Sequence, residues 1–182
     1  MQVQPHALPG LLEFIPRLFG DPRGVFYETF SARLMQEMGL PADLDWVQDN
    51  QSKSQPGVLR GLHFQRPPHA QAKLVRVAQG RALDVVVDIR RDSPTYGQHA
   101  KVELSEAQGN VLFVPVGFAH GFVALEENTL FLYKCSNYYA PSAEGGLLWN
   151  DPALAINWGV ADALISPKDA ILPTLAELDS PF

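Results

Sequence analysis

The middle of the chain is written in short apolar runs in which polar positions recur at every second residue, the period of a β-strand with one face buried. KLVRVAQGRALDVVVDIR, residues 73–90, reads as two strands folded about Gln79-Gly80. KVELS (101–105), NVLFVPVG (110–117), HGFVAL (120–125) and TLFLYKCSNYY (129–139) follow, broken by Gly, Pro, Glu-Asn and Ser at hairpin spacing. Only the flanks leave this rhythm. SARLMQEMG, residues 31–39, reads as a short helix, with Ser31 placed to cap its start and Gly39 followed by Pro41 to stop it. DPALAI (151–156) and SPKDAILPTLAEL (166–178) each open with a cap residue followed by proline, which predicts a helical tail over 150–182. Successive short strands with few helical segments between them predict a mainly β domain, a sandwich or jelly roll with short peripheral helices.

Period 2 also says which side chains share a face. In 129–139, Phe131, Tyr133, Cys135, Asn137 and Tyr139 point one way. Two tyrosines and an amide on one face fit either the wall of a polar cavity or a mixed core whose hydroxyls are satisfied. Earlier, GVLRGLHFQRPPHAQAKLVRV (57–77) packs two histidines, three arginines and a lysine into twenty-one positions, between apolar residues suited to a buried strand. Strict alternation puts Arg60 and His63 on opposite faces. Both serve one site only if the strand bulges near Gly61 or if they act in different subunits.

Charge decides what that cationic stretch is for. The 182 residues carry a formal net charge of -6 and a pI near 5.3, the wrong balance for a general nucleic-acid binder. A local cluster of cations in an acidic chain is expected instead to be a discrete anion site. With 46% hydrophobic residues the chain supports one sizeable core, so residues 1–182 are expected to form a single domain. Cys135, the one cysteine, excludes an internal disulfide and leans towards a reducing, cytoplasmic setting. The first residues, MQVQPHALPGLLEF, lack the basic-then-apolar pattern of a signal peptide, and no apolar run reaches the roughly 18 residues of a membrane helix. No membrane partner is expected.

The sharpest local pattern is GNVLFVPVGFAH, Gly109 to His120. It resembles the second motif of the cupin superfamily, jelly-roll barrels in which that histidine often binds a metal. The first cupin motif supplies H-x-H and a glutamate; here His63 is followed by Gln65, and no carboxylate occurs before Gly80. His69 follows Pro67-Pro68 in a turn and cannot share a strand face with His63. Imidazoles without a carboxylate make a poor metal site, so no metal is expected. His63, His120, Lys73, Arg60 and Tyr133 remain, with no cysteine or serine nucleophile motif among them.

Over nearly its whole length the chain is similar to the dTDP-4-dehydrorhamnose 3,5-epimerase family. NQSKSQPGVLRGLHFQ, QAKLVRVAQGRALDVVVDIRRDSPTYG, VPVGFAHGFVAL and LLWNDPALAINW carry the resemblance, with FGDPRGVFYETF (19–30) and SPKDAILPTLAE (166–177) at the flanks. It implies a cofactor-free reaction on a dTDP-4-keto-6-deoxy sugar: a proton leaves a carbon beside the C4 ketone and another returns to the opposite face. Such a carbon acid needs a base on one face, an acid on the other, and donors for the enolate oxygen. The resemblance implies His63 as base, Asp169 as the carboxylate that pairs with it and raises its basicity, Tyr133 as acid and Lys73 at the enolate, with His120 a further donor. Arg60 and Arg23 match the phosphate contacts, as guanidinium forks suit pyrophosphate oxygens. Glu28, Gln48, Asp49, Asn50, Lys168 and Glu144 match nucleotide and sugar contacts, and Tyr139 lines the cavity on the Tyr133 side. The family also implies a homodimer in which N-terminal strands before about residue 30 are exchanged, taking Arg23 and Glu28 into the neighbour's site.

Local reading gives some of these residues plainer roles. Asp169 stands third after Ser166-Pro167, the place of a capping-box carboxylate. Arg76, Arg81, Arg90 and Arg91 read as solvated or structural. Two other functions stay open: an enzyme that inverts only C3 or only C5 of a related dTDP-4-keto sugar, and a cupin that binds a sugar nucleotide without turning it over.

Overall fold

A computed structural model describes residues 1–182. Its strands are β1 (Gln2–Pro5), β2 (Leu12–Ile15), β3 (Phe19–Asp21), β4 (Gly24–Phe26), β5 (Gln48–Ser54), β6 (Leu59–Gln65), β7 (Lys73–Gln79), β8 (Arg81–Asp88), β9 (His99–Ser105), β10 (Val111–Val114), β11 (Phe118–Ala124), β12 (Thr129–Cys135) and β13 (Glu144–Gly146). One helix, α1 (Ala32–Glu37), lies between β4 and β5, with Ser31 Oγ accepting from the Leu34 N–H as its N-cap. None of the helices is long and apolar enough to cross a membrane.

The strands form a six-stranded sheet in the order β1-β2-β10-β7-β12-β5 and a five-stranded sheet in the order β13-β6-β11-β8-β9. Their inner faces meet over Val75, Val77, Leu112, Val114 and Phe131 from the first and Ala82, Val86, Val102, Leu104, Phe118 and Phe122 from the second. This is the two-layer burial expected of a jelly roll. The alternate residues of the five-stranded sheet, among them Leu62, Phe64, Val85, Val87 and Val123, face outward and are covered by Leu147 and by Leu154, Trp158 and Leu178 of the tail. The outer face of the six-stranded sheet is closed by Met35 of α1 with Leu40.

The tail is not helical. It holds turns and a single 3-10 turn at Asp169–Ile171. The cap residues do cap: Asp151 accepts from the Ala153 and Leu175 N–H groups, and Ser166 Oγ from the Asp169 N–H. Elongation fails after each cap. Pro173 cannot donate inside a helix, Ala155 takes a positive φ of 48°, and the chain gains more by laying Leu154, Trp158 and Leu178 flat on the sheet. The last long strand also stops early, at Cys135, so Asn137 and Tyr139 lie beyond it.

β1 and β2 pair with each other and β2 with β10, inside the chain's own sheet. Of the first thirty residues, the part that stands clear is the β3–β4 hairpin, with Phe19 51%, Val25 59% and Phe26 73% exposed.

Candidate active site

The site depends on one irregularity. Between β6 and β11 the paired residues run His63–His120 and then Arg60–Phe122, three steps on one strand against two on the other, so β6 carries an extra residue. The extra residue is Gly61. Its φ of 123° is closed to other residues, and a Cβ there would stand 2.6 Å from the Gly121 Cα and 2.8 Å from the His120 carbonyl oxygen. The bulge has two consequences. It resets the alternation, so Arg60 and His63 both face inward while Leu59, Leu62 and Phe64 join the outer cluster. It also frees the Gly61 N–H from the ladder, and that N–H donates to Asp169 Oδ2 at 3.3 Å.

Asp169 is thereby fixed at both oxygens. Oδ1 lies 2.7 Å from His63 Nε2, and the buried carboxylate points inward from the tail rather than back onto its own turn. The capping and functional readings of this position are both present: Ser166 caps the backbone, and the carboxylate is left for His63. Asp169 acts to raise the basicity of His63, but burial acts more strongly the other way, and Lys73 adds to it. The imidazole therefore sits below its ordinary pKa, although Asp169 raises it as expected.

Two chambers with part of their walls in common open beside this pair. One, of about 360 Å³, is lined by Arg60, His63, His120, Phe122, Phe131 and Asp169, among others. The second, of about 290 Å³, includes Gln48, Asn50, Gln71, Cys135, Tyr139 and Glu144. His63, Lys73 and Tyr133 line both. They arrive from different strands: His63 from β6 in one sheet, Lys73 and Tyr133 from β7 and β12 in the other. Burial pushes the Tyr133 hydroxyl up and the Lys73 ammonium down, and no carboxylate lies within ion-pair distance of Lys73.

His120 is the cross-strand partner of His63. Its Nε2 lies 2.8 Å from Oδ2 of Asp84, a residue of β8 with no exposed surface. Sequence reasoning passed over Asp84; its signal was an acid in the middle of the apolar run ALDVVV. The donor set does not fit a metal. Each histidine already has its Nε2 against a carboxylate, the Lys73 ammonium stands on the same wall, and no three His, Cys, Asp or Glu groups converge.

At the rim, Tyr139 donates to Glu144 Oε2 at 3.0 Å, and the Lys168 ammonium pairs with the same carboxylate. Burial pushes Glu144 up, but Lys168 and Tyr139 together reverse it and hold the carboxyl below its usual range. Gln48 and Asn50 line the second chamber as expected. Asp49 does not. Period 2 along β5 turns it outward, where it accepts from Lys134 Nζ at 2.7 Å. Arg60 donates through Nε to Ser54 Oγ and keeps its terminal nitrogens unpartnered beside the first chamber. Arg23 and Glu28 are not at this chain's site: Arg23 folds onto Asp21 within the exposed hairpin, and Glu28 follows it on the surface.

The model of the dTDP-4-dehydrorhamnose 3,5-epimerase family matches residues 5–177. The chain belongs to that family. It is 50% identical over 170 residues to the dTDP-4-dehydrorhamnose 3,5-epimerase of Salmonella typhimurium, covering 93% of this chain and 92% of the relative. The dTDP-6-deoxy-D-glucose-3,5-epimerase of Legionella pneumophila, solved in complex with dTDP-4-keto-L-rhamnose, superposes with a TM-score of 0.93 at 43% identity, over 98% of this chain and 94% of that one. A 3'-monoepimerase of Streptomyces bikiniensis, solved with dTDP-quinovose, has the same fold at a TM-score of 0.88 and 32% identity, over 94% and 87% of the two chains. The epimerase fold is thus shared by enzymes with one inversion and with two, and this chain has the higher identity to those with two.

Proposed function

We propose that the chain inverts C3 and C5 of dTDP-4-dehydro-6-deoxy-D-glucose to give dTDP-4-dehydro-L-rhamnose, a step of dTDP-L-rhamnose synthesis. The observation that carries this reading is the facing of His63 and Tyr133 from opposite sheets across shared chambers, with Lys73 on the same walls. With Nε2 held by Asp169, Nδ1 of His63 is the free lone pair. Nδ1 removes the proton from the carbon beside the C4 ketone, and the electron pair passes to the ketone oxygen. The Lys73 ammonium and the His120 ring face that oxyanion. Tyr133 then gives its hydroxyl proton to the carbon from the other side, inverting it, and solvent returns a proton to the phenolate and takes one from His63. Burial suits each group to its part, keeping His63 neutral and Tyr133 protonated at neutral pH. Arg60 and Lys168 offer positive charge for the pyrophosphate, and Gln48, Asn50, Tyr139 and Glu144 surround the remainder of the substrate.

Incubation with dTDP-4-keto-6-deoxyglucose in deuterated water, followed by NMR, tests the reaction. Deuterium at both C3 and C5 is expected. Label at one carbon would make this a monoepimerase, and label at neither would make it a binding protein. The reading extends to a homodimer in which the β3–β4 hairpin, apolar and exposed at Phe19, Val25 and Phe26, carries Arg23 and Glu28 into the partner's site. Light scattering at micromolar concentration is expected to report a dimer, and a fully active monomer would contradict the shared site.

A further inference from the structure

β8 places a carboxylate where the strand's other inward residues include Ala82 and Val86. Asp84 lies between Phe122 and Val102 in the ladder, has no exposed surface, and satisfies only one of its two oxygens: Oδ2 meets His120 Nε2, while Oδ1 has no partner. A buried carboxylate with a single hydrogen bond costs stability, and an apolar side chain would pack against Phe122 and Val102 without that cost. The fold gives no reason for an acid here. The site does.

Resting on the epimerase reading above, we infer that Asp84 is a positioning residue, holding His120 by Nε2 so that a proton on Nδ1 is presented to the C4 oxygen of the substrate. A histidine has two ring nitrogens, and Asp84 occupies one. Two arrangements of the pair put a proton on Nδ1. Either the Asp84 carboxyl keeps its proton and donates it to Nε2, or the carboxylate accepts from a doubly protonated ring. Both leave the pair neutral overall, as a site closed to water favours. The third arrangement, an ionised Asp84 beside a ring protonated only on Nε2, would turn a lone pair towards a developing oxyanion. Burial raises the affinity of Asp84 for a proton; His120 and Lys73 oppose this without reversing it. The charged group acting on Asp84 from a facing strand is Lys73 on β7, and the titratable neighbour of His120 across the ladder is His63 on β6; Glu144 acts on both Lys73 and His63, and Asp169 on His63.

Asp84→Leu and Asp84→Asn separate positioning from packing. The leucine variant loses the hydrogen bond but fills the space; kcat is expected to fall about 100-fold with KM nearly unchanged, while Tm holds or rises. The asparagine amide can still donate to Nε2 and keep the proton on Nδ1, so it is expected to return most of the lost kcat. Nitrogen-15 NMR of the wild-type ring, which needs no variant to fold, is expected to find a proton on Nδ1 of His120. A leucine variant with wild-type kcat, or a wild-type His120 protonated on Nε2 alone, would overturn the inference. The NMR measurement involves no sugar, so its failure would leave the epimerase reading standing; absence of deuterium exchange by the wild-type enzyme would remove that reading without touching the ring assignment.

Discussion

His63–Asp169 and His120–Asp84 are built from the same two side chains, joined through the same ring nitrogen at 2.7 and 2.8 Å, on strands that lie side by side. Their surroundings separate them. Asp169 comes from the tail and has both oxygens bonded, one to His63 and one to the N–H that the Gly61 bulge sets free. Asp84 belongs to the middle of β8 and has one oxygen unpartnered. The His63 side chain is 31% exposed and lines both chambers, whereas the His120 side chain is 8% exposed and lines one. A fully satisfied carboxylate beside an accessible ring suits a base that must gain and lose a proton at each turnover. A half-satisfied carboxylate beside a buried ring suits a donor fixed in one orientation. Identical residue pairs are thus assigned different work by the hydrogen bonds on the far side of the carboxylate.

The sharpest way to break this distinction is to remove each ring in turn. His63→Asn takes away the base and is expected to lower both deuterium exchange and net epimerisation by about 10²–10⁴. His120→Asn takes away a donor and is expected to cost less, because Lys73 still faces the oxyanion. Equal losses measured in parallel would mean that the two pairs are not distinct.

A smaller effect comes from the bulge, which bonds directly to the first pair through the Gly61 N–H. Gly61→Ala places a Cβ against Gly121 at a φ that alanine does not adopt, so the strand must relax towards regular pairing. That relaxation turns Arg60 and His63 to opposite faces and withdraws the N–H from Asp169. Activity is expected to fall by at least roughly tenfold and Tm by several degrees, as for other strained-backbone substitutions. Full activity in the alanine variant would show that the bulge is not what brings these two residues together.

The pH profile should move least. Burial depresses the His63 pKa below the ordinary 6.5, so the neutral base persists as pH falls past that value, and the acid limb of kcat/KM is expected below 6.5. The same depression makes the unfolded chain the better proton acceptor, so this group's contribution to stability is present above 6.5 and lost as pH falls through the folded pKa. On the alkaline side burial lowers Lys73 from 10.5 and raises Tyr133 from 10.0, so the Lys73 charge is expected to be lost at a lower pH than that of a solvated lysine. An acid limb at or above 6.5 would place the base elsewhere.

Alternation made most of the β framework legible. The strands of 73–88 appear where the period-2 pattern put them, divided at Gly80, because each presents one face to the inter-sheet core. The bulge at Gly61 was legible too, as one of two ways for Arg60 and His63 to serve a single site, the other being action in different subunits; the register shift between β6 and β11 is the first of these. The tail misled because its caps are real while the prolines and the sheet beneath it prevent elongation, and no local signal weighs those against each other. Asp49 was taken with its neighbours Gln48 and Asn50 as a block, although the alternation used elsewhere separates it from both. The roles of His63, Asp169 and Tyr133 came from family resemblance; their residues lie 106 positions apart for the first pair, and spacing alone does not join them. Asp84 was missed because it offers no motif, only an acid where burial calls for an apolar residue.

The central claim is that base and acid act from opposite sheets on opposite faces of one carbon, and Tyr133→Phe tests it most directly. The wild-type enzyme and this variant would be incubated with dTDP-4-keto-6-deoxyglucose in deuterated water, with deuterium incorporation and configuration followed together by NMR. His63 and Lys73 remain in the variant to form the enolate, so it is expected to exchange protons on the His63 side and return deuterated substrate of unchanged configuration, with net inversion far slower than exchange. Epimerisation by Tyr133→Phe at the wild-type rate would contradict the account, and so would loss of exchange and inversion in equal measure.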